Sequence, residues 1–453
     1  MHLTTACRLA LLPAAVAMAI RPAMADPSED LARIRQEIAA LKKDYDARLR
    51  VLEKRLEAAE ARARQAENEA RAARRQAVQP ATTSQESTNA FNPAIGLVLN
   101  ARYRSFSRSA AETAISGFPL GEEATKGEEG FSLGESELGL SANIDDKFYG
   151  QFTGSFVSDG GGDHVEIEEA FIQTLDLPGG LGLKAGRFLP GIGYLNSAHT
   201  HTDDFADRPL PYRVFLNTAY KDDGVELRWL APTDLFLEAG ADLLSGDHYP
   251  AAGHTHAGVG AWAAFVHVGG DWDESNSWQV GISHLHAEAR GRTTGDPANP
   301  DRFTGHDRLW ILDGIWKWAP NGNPYRHNFK LQGEWFRRRE SGRFTPGGGT
   351  ATPYSGDQDG WYVQGVYQFM PRWRAGLRLS ALSAEDPGPA FSGTSLDPAG
   401  HDPRHYSVMV DWSNSEFSRL RLQYNRDQSR PAADDQWTLQ YIMSLGAHGA
   451  HQF

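Results

Sequence analysis

Cysteine is almost absent. The 453 residues hold one, Cys7, and it lies in the N-terminal segment. A disulfide framework and thiol chemistry are thereby excluded for the rest of the chain. Also missing is any apolar run of the roughly 18–20 residues that a transmembrane helix needs, and mean hydropathy is −0.50. Positive charge is in deficit, with 45 Lys and Arg against 58 Asp and Glu, a net charge of −13. That balance argues against a nucleic-acid partner and favours cations near the molecule over anions.

What is present is alternation. Phe148, Phe152 and Phe156 share one face, while Gln151, Thr153 and Ser155 share the other. A side-chain period of two means β-strand. Sixteen such stretches follow one another, from Ile95–Phe106 to Trp437–Leu445. Their connectors are alternately short and long. The short ones include Asp145-Asp146, Ala231-Pro232-Thr233, Pro371-Arg372 and Ser413-Asn414-Ser415. Arg213–Ala219 could be a further strand, but an odd count would break the pattern, so it reads as part of a long connector. Trp229, Trp310, Trp316, Trp318, Trp361, Trp373, Trp412 and Trp437 crowd the strand ends, as in interfacial girdles. A soluble sandwich or propeller does not explain the two-sided connector rhythm. The expected fold class is an all-β transmembrane barrel of about 16 antiparallel strands preceded by an α-helical coiled coil. The expected place is the outer membrane of a Gram-negative bacterium, with the short turns, the coil and both termini in the periplasm.

The N-terminal part reads differently. Residues 1–25 have a secretory signal pattern, with Arg8, an apolar stretch from Leu9 to Ile20, and Ala23-Met24-Ala25 before Asp26. Residues 26–78 keep an apolar seam at spacings of three and four through Leu31, Ile34, Ile38, Leu41, Tyr45, Leu49, Leu52 and Leu56. This predicts a periplasmic coiled coil with one stutter. Residues 79–93 are a polar linker, and 94–453 form the barrel.

The polar faces of the strands give the lumen lining. Early strands supply Glu135, Glu137, Glu166, Glu168, Glu226 and Glu238, with Asp242. The first and late strands supply Arg102, Arg104, Arg374, Arg378, Arg419 and Arg421, with Lys330 and Arg338. An acidic wall facing a basic wall sets up a transverse field that favours small hydrophilic solutes. Lining charges can also simply knit the wall together. Glu169 is out of step: strict alternation places it on the lipid side, unless a bulge or a protomer interface absorbs it.

The longest connector, Pro190 to about Lys221, mixes apolar, acidic, basic and histidine residues, unlike a solvated loop tip. Three H-x-H pairs fall in outer connectors or outer strand ends: His199 with His201, His254 with His256, and His284 with His286. A spacing of two puts both imidazoles on one side of an extended backbone. Asp203 and Asp204 add oxygen donors nearby. Neutral imidazole suits zinc and copper, so these residues are the candidate ligands for a weakly held zinc or other divalent cation. No cofactor is required. No Ser/His/Asp order or paired-carboxylate site stands out, and no enzymatic role is expected.

The layout resembles sixteen-stranded outer-membrane porins with an N-terminal coiled coil, of the phosphate-selective type. The stretches GFPLGEEA, GEEGFSLGESEL, EEAFIQTL, LKAGRF, GIGYLNSAHTH, DDGVELRWLAPTDLFLE and SLGAHGAHQF resemble more closely a family of outer-membrane channels described as zinc-regulated or as receptors. The resemblance covers most of the chain from Phe91 on. It implies a passive channel that favours divalent metal, a homotrimer in outer-membrane lipid, and a third outer loop folded into the lumen, where His199, His201, Asp203, Asp204, Asp207 and Arg213 would line a constriction. The chain lacks the plug domain and length of a TonB-dependent receptor, and its acidity departs from phosphate selectivity. Two alternatives stay open: an anion pore using the arginine wall, and a structural tether whose coil contacts peptidoglycan.

Overall fold

The computed structural model describes residues 93–159, 162–253, 258–296 and 298–446. The segments read as signal, coiled coil and linker through residue 92 lie outside the described residues, as do His254, His256 and residues 447–453. Seventeen strands follow one another: β1 (Ala94–Phe106), β2 (Gly130–Leu133), β3 (Ser136–Asn143), β4 (Phe148–Asp159), β5 (Gly162–Thr174), β6 (Leu181–Phe188), β7 (Asp222–Leu230), β8 (Phe236–Leu244), β9 (Ala261–Asp273), β10 (Asn276–Thr294), β11 (Asp301–Trp318), β12 (Asn328–Thr345), β13 (Thr352–Met370), β14 (Trp373–Ala384), β15 (Arg404–Ser415), β16 (Ser418–Gln428) and β17 (Asp434–Gly446).

They form one antiparallel sheet, and β17 pairs back onto β1 from Gly96↔Gly446 to Phe106↔Gln436. The sheet is closed and has no free edge. Both β2 and β3 pair with β1, so they are halves of one stave, and seventeen strands make the sixteen staves that the alternation predicts. The turns between β13 and β14 and between β15 and β16 lie at the same end as Gly96 and Gly446. The long connectors, 107–129, 189–221, 245–260 and 385–403, lie at the other end.

Burial is inverted relative to a soluble protein. Along β16, Leu420 and Leu422 face outward at 38% and 49% exposure, while Arg419, Arg421 and Gln423 point inward at 3%, 1% and 1%. Trp229, Trp310, Trp361, Trp373 and Trp437 are all exposed on the outer wall. An apolar exterior with a polar interior suits hydrocarbon outside, where only closed structures can satisfy every backbone group.

The sequence-based strands stop at the apolar belt, but four of them continue. β10 to β13 run for 19, 18, 18 and 19 residues, against the about 9–11 that cross a bilayer. Their extensions enclose a second small core of Phe303, Phe344 and Tyr354, capped by Phe391 and Leu396 from connector 385–403.

Two bulges set the lumen face. Between β2 and β3, the residues Gly134, Glu135 and Ser136 oppose only Leu99 and Asn100 of β1. Ser136 Oγ accepts the Asn100 backbone N–H at 3.0 Å, replacing a ladder bond. In β5 the register with β4 jumps from Thr153↔Glu169 to Gly154↔Ile167, leaving Glu168 as the extra residue. Glu168 and Glu169 are therefore both buried on the lumen side. The lipid-facing position that strict alternation gives Glu169 is corrected by this bulge.

Beside that bulge, Gly186 on β6 has φ +130°, and a Cβ there would lie 2.2 Å from the Ala170 carbonyl oxygen. Gly186→Ala is expected to destabilise the barrel by about 1–3 kcal/mol, read as a lower temperature for the loss of its compact, heat-modifiable migration on gels.

Candidate functional site

A sixteen-stave barrel is wider than its own side chains can fill, and the connector between β6 and β7, residues 189–221, expected as the third outer loop, enters the space. It carries one short helix, α1 (Leu210–Phe215), with Pro211 in the first turn, where a missing N–H costs nothing. All six helix residues are buried. Tyr212 and Phe215 pack on Phe336 of β12 with ring centroids at 5.2 and 5.9 Å. Leu285, Leu309 and Ile311 belong to the same cluster. Here the lumen wall is apolar, and the loop is glued to it by the hydrophobic effect. Glu334 accepts hydrogen bonds from the Tyr212 hydroxyl at 2.9 Å, the Tyr362 hydroxyl at 2.5 Å and the Tyr194 backbone N–H at 3.1 Å. Neither Glu334 nor Tyr212 stood out in the sequence. An acid on the inward face of β12, next to Phe336 and opposite Tyr362 of β13, was the available signal.

The loop presents opposite charge to each wall. On the basic side, Asp204 pairs with Lys330 at 2.5 Å and Arg374 at 3.1 Å, and Arg374 also holds Asp411 at 2.6 Å. Asp207 accepts from Arg378 at 2.6 Å, Gln423 at 2.6 Å and Asn425 at 3.1 Å. Arg419 donates to the His201 carbonyl at 2.8 Å, and Arg421 to the Asp203 carbonyl at 2.8 Å. These four arginines clamp the loop. Asp203 itself turns to Arg208 within the loop, at 2.5 Å. Asp203 and Asp204 are thus not joined to the histidines, because permanently charged partners stand closer to hand. Burial opposes ionisation of Asp204, but Lys330 and Arg374 outweigh it and hold the carboxyl well below its usual range. The same balance, with Arg378 as the main partner, holds Asp207 low.

On the acidic side, the loop offers its H-x-H pair. His199 places Nε2 3.0 Å from Glu169 and Nδ1 3.3 Å from Glu137. His201 Nδ1 lies 2.8 Å from the same Glu137 oxygen, and the two rings stack at 5.8 Å. Glu135 accepts from the Thr200 hydroxyl. One donor atom each from Glu135, Glu137 and His199 lies within 4.8 Å of the others. Nitrogen and carboxylate oxygen at this spacing are donors that zinc accepts. Burial disfavours the His199 imidazolium, yet Glu137 and Glu169 prevail and raise its pKa well above the ordinary value.

Above Glu135 and Thr200 opens a cavity of about 810 Å³, lined also by Arg102, Arg104, Glu166, Glu168 and Arg213. Glu168 pairs with Lys221 at 2.9 Å. The other expected lining acids tie the wall together: Glu226 meets Lys184 at 3.4 Å and Arg228 at 3.1 Å, and Glu238 meets Arg228 at 3.1 Å.

The His284 and His286 pair does not join this site. His284 and His286 alternate with the buried Leu285 and Ala287, so they stand on the outer wall. They pack on Trp262 and Trp310. His286 gathers with Glu288 and His306 there, outside the lumen. Spacing of two does put His284 and His286 on one face, but that face is the wrong one. His254 and His256, also expected as ligands, lie outside the described residues. Neither His254 nor His256 is therefore counted among the donors that the structure brings together.

A closed sixteen-stave sheet, apolar outside, polar within and narrowed by its own third outer loop, is a transmembrane β-barrel of the outer-membrane type. The chain belongs to the same family as a protein of Aquifex aeolicus (strain VF5) described as uncharacterized, 30% identical over 394 residues that cover 81% of each chain. No family model matches. Among solved structures, OmpT of Vibrio cholerae in its trimer form is similar at a TM-score of 0.49 and 10% identity, over 78% of this chain and 99% of that one. Pseudomonas putida OprB aligns at 0.49 and 11%, over 78% and 94%. An anion-selective porin from Comamonas acidovorans aligns at 0.46 and 10%, over 78% and 99%.

Replacing Asp204 and Asp207 together by Asn leaves the buried Arg378 and the half-buried Lys330 without their carboxylates, a loss of about 3 kcal/mol or more. The double variant is expected to release the loop, seen as larger single-channel conductance and faster trypsin cleavage within 189–221. Acid should do the same only at extreme pH. Because both carboxyls are held low, their contribution is complete above an unfolded value of about 3.9 and fades as pH falls toward the lower folded value. Wild-type conductance should therefore stay constant down to about pH 4 and rise only below it.

Proposed function

We propose that the protein is an outer-membrane channel for passive entry of small hydrophilic solutes, and that its lumen favours divalent metal ions such as zinc. The observation that carries this reading is the placement of His199 and His201, on the inserted loop, against Glu135, Glu137 and Glu169 of the wall. Donors that already pair with one another release a cation easily, and conduction requires release. As a homotrimer, each copy would hold its own complete set of donors.

Planar-bilayer recording tests the proposal. Zinc is expected to block wild-type channels, and His199→Ala/His201→Ala to raise the half-blocking concentration about 10–100-fold. Equal block of both would sink the metal reading. Block should also strengthen from about pH 6 to about pH 8, because zinc must displace the proton that Glu137 and Glu169 hold on His199.

A second reading, an anion pore, is favoured by one observation. Arg102 and Arg104 line the cavity with no carboxylate partner among the described residues. A reversal potential of anionic sign in a salt gradient would support it against the first.

A further inference from the structure

We propose that the metal reaches this cavity as a chelate, a divalent cation already held by a small polycarboxylate, and not as the bare hydrated ion. The inference rests on the metal reading of the His199 site and names the form of its solute.

Three cations of the cavity lack ion pairs among the described residues. Arg102 Nε donates only to the Asn100 side-chain oxygen at 3.3 Å, Arg104 Nη1 to the Lys126 carbonyl at 2.9 Å, and Arg213 Nη2 to the Ala124 carbonyl at 3.1 Å. By contrast Arg208, which also lines the cavity, and Arg374 and Arg378 elsewhere in the lumen each hold an aspartate. The backbone makes room for the two strand guanidiniums. A Cβ at Gly134 would lie 2.3 Å from Arg102 Nε, and one at Gly127 2.0 Å from Arg104 Nη1. Glycine at the β2–β3 bulge and in the first outer connector is what lets these side chains occupy their positions.

The cavity thus has two chemistries. Glu135, with His199 and Glu137 beside it, offers metal donors. Arg102, Arg104 and Arg213 offer fixed positive charge that neutral carbonyls do not cancel. A bare dication satisfies the first set and leaves the second without a counter-charge. A polycarboxylate complex satisfies both, because carboxylates left free of the metal meet guanidinium forks. Size agrees. Six waters around a dication fill about 200 Å³, whereas the cavity of about 810 Å³ is large enough for an organic solute.

Titration calorimetry of the full-length protein in detergent, with zinc alone, citrate alone and the zinc–citrate complex, tests the inference. Wild type should bind the complex at least tenfold more tightly than either component. Arg102→Gln/Arg104→Gln should lose that advantage while binding zinc alone as well as wild type or better, which also shows that the variant is folded. Equal binding of the complex by wild type and variant overturns the chelate, as does citrate alone binding as tightly as the complex. His199→Ala/His201→Ala separates the two levels. If that variant keeps full zinc binding, the metal reading itself fails. If it loses zinc while the arginine variant keeps the complex, only the chelate fails.

Discussion

The antiparallel seam between β1 and β17 is the interaction on which the rest depends. A row of unpaired backbone groups cannot stand in hydrocarbon. Once the seam closes, the sheet has no edge, and the outer wall is free to be apolar. Each strand must then carry its polar residues inward. The inversion seen along β16, leucine out and arginine in, follows from closure and not from any preference of that strand. Closure also fixes the number of staves as even and brings both barrel ends to one side.

Closing a sheet of this width creates an interior that the wall cannot fill. The loop 189–221 answers with matched chemistry on three sides. Its helix α1 meets the apolar patch of β10 to β13, its aspartates meet the arginines of β14, its backbone carbonyls meet those of β16, and its histidines meet the glutamates of β3 and β5. Two bare walls of opposite sign would have been a field across a wide pore. With the loop in place, most of that field is spent locally, in short pairs. Guanidiniums without a carboxylate partner among the described residues gather in the cavity bounded by β1, the first long connector and Glu135.

The period of two was enough to place all sixteen staves, since an alternation of leucine with arginine has no other stable reading in this context. It identified the inward face of β16 and β14 correctly for the same reason. It could not foresee a change of parity. Glu169 comes inward only because Glu168 is extruded from the ladder, and nothing in the string IEEAF marks which glutamate is extra. Nor could alternation tell which inward charge meets which. Asp203 and Asp204 sit beside His199 and His201 in the chain, yet Asp204 goes to the basic wall and Asp203 folds back on Arg208 within the loop, while the histidines meet the acidic wall. His284 and His286 show the remaining limit. Polar residues on a lipid-facing strand look like lumen residues until the register reveals Leu285 and Ala287 packed inside.

The strands differ greatly in how far they rise beyond the apolar belt. β10 to β13 climb for 18 or 19 residues, whereas β4 and β5 turn back at Asp159↔Gly162 after 12 and 13. The mouth is therefore cut obliquely, like the lip of a jug. Access to the cavity from this end is screened on the tall flank and open over the short one. Glu166 and Glu168 stand just inside that low lip, both paired with Lys221, so the low side of the rim is salt-bridged while the tall side is packed with aromatic rings.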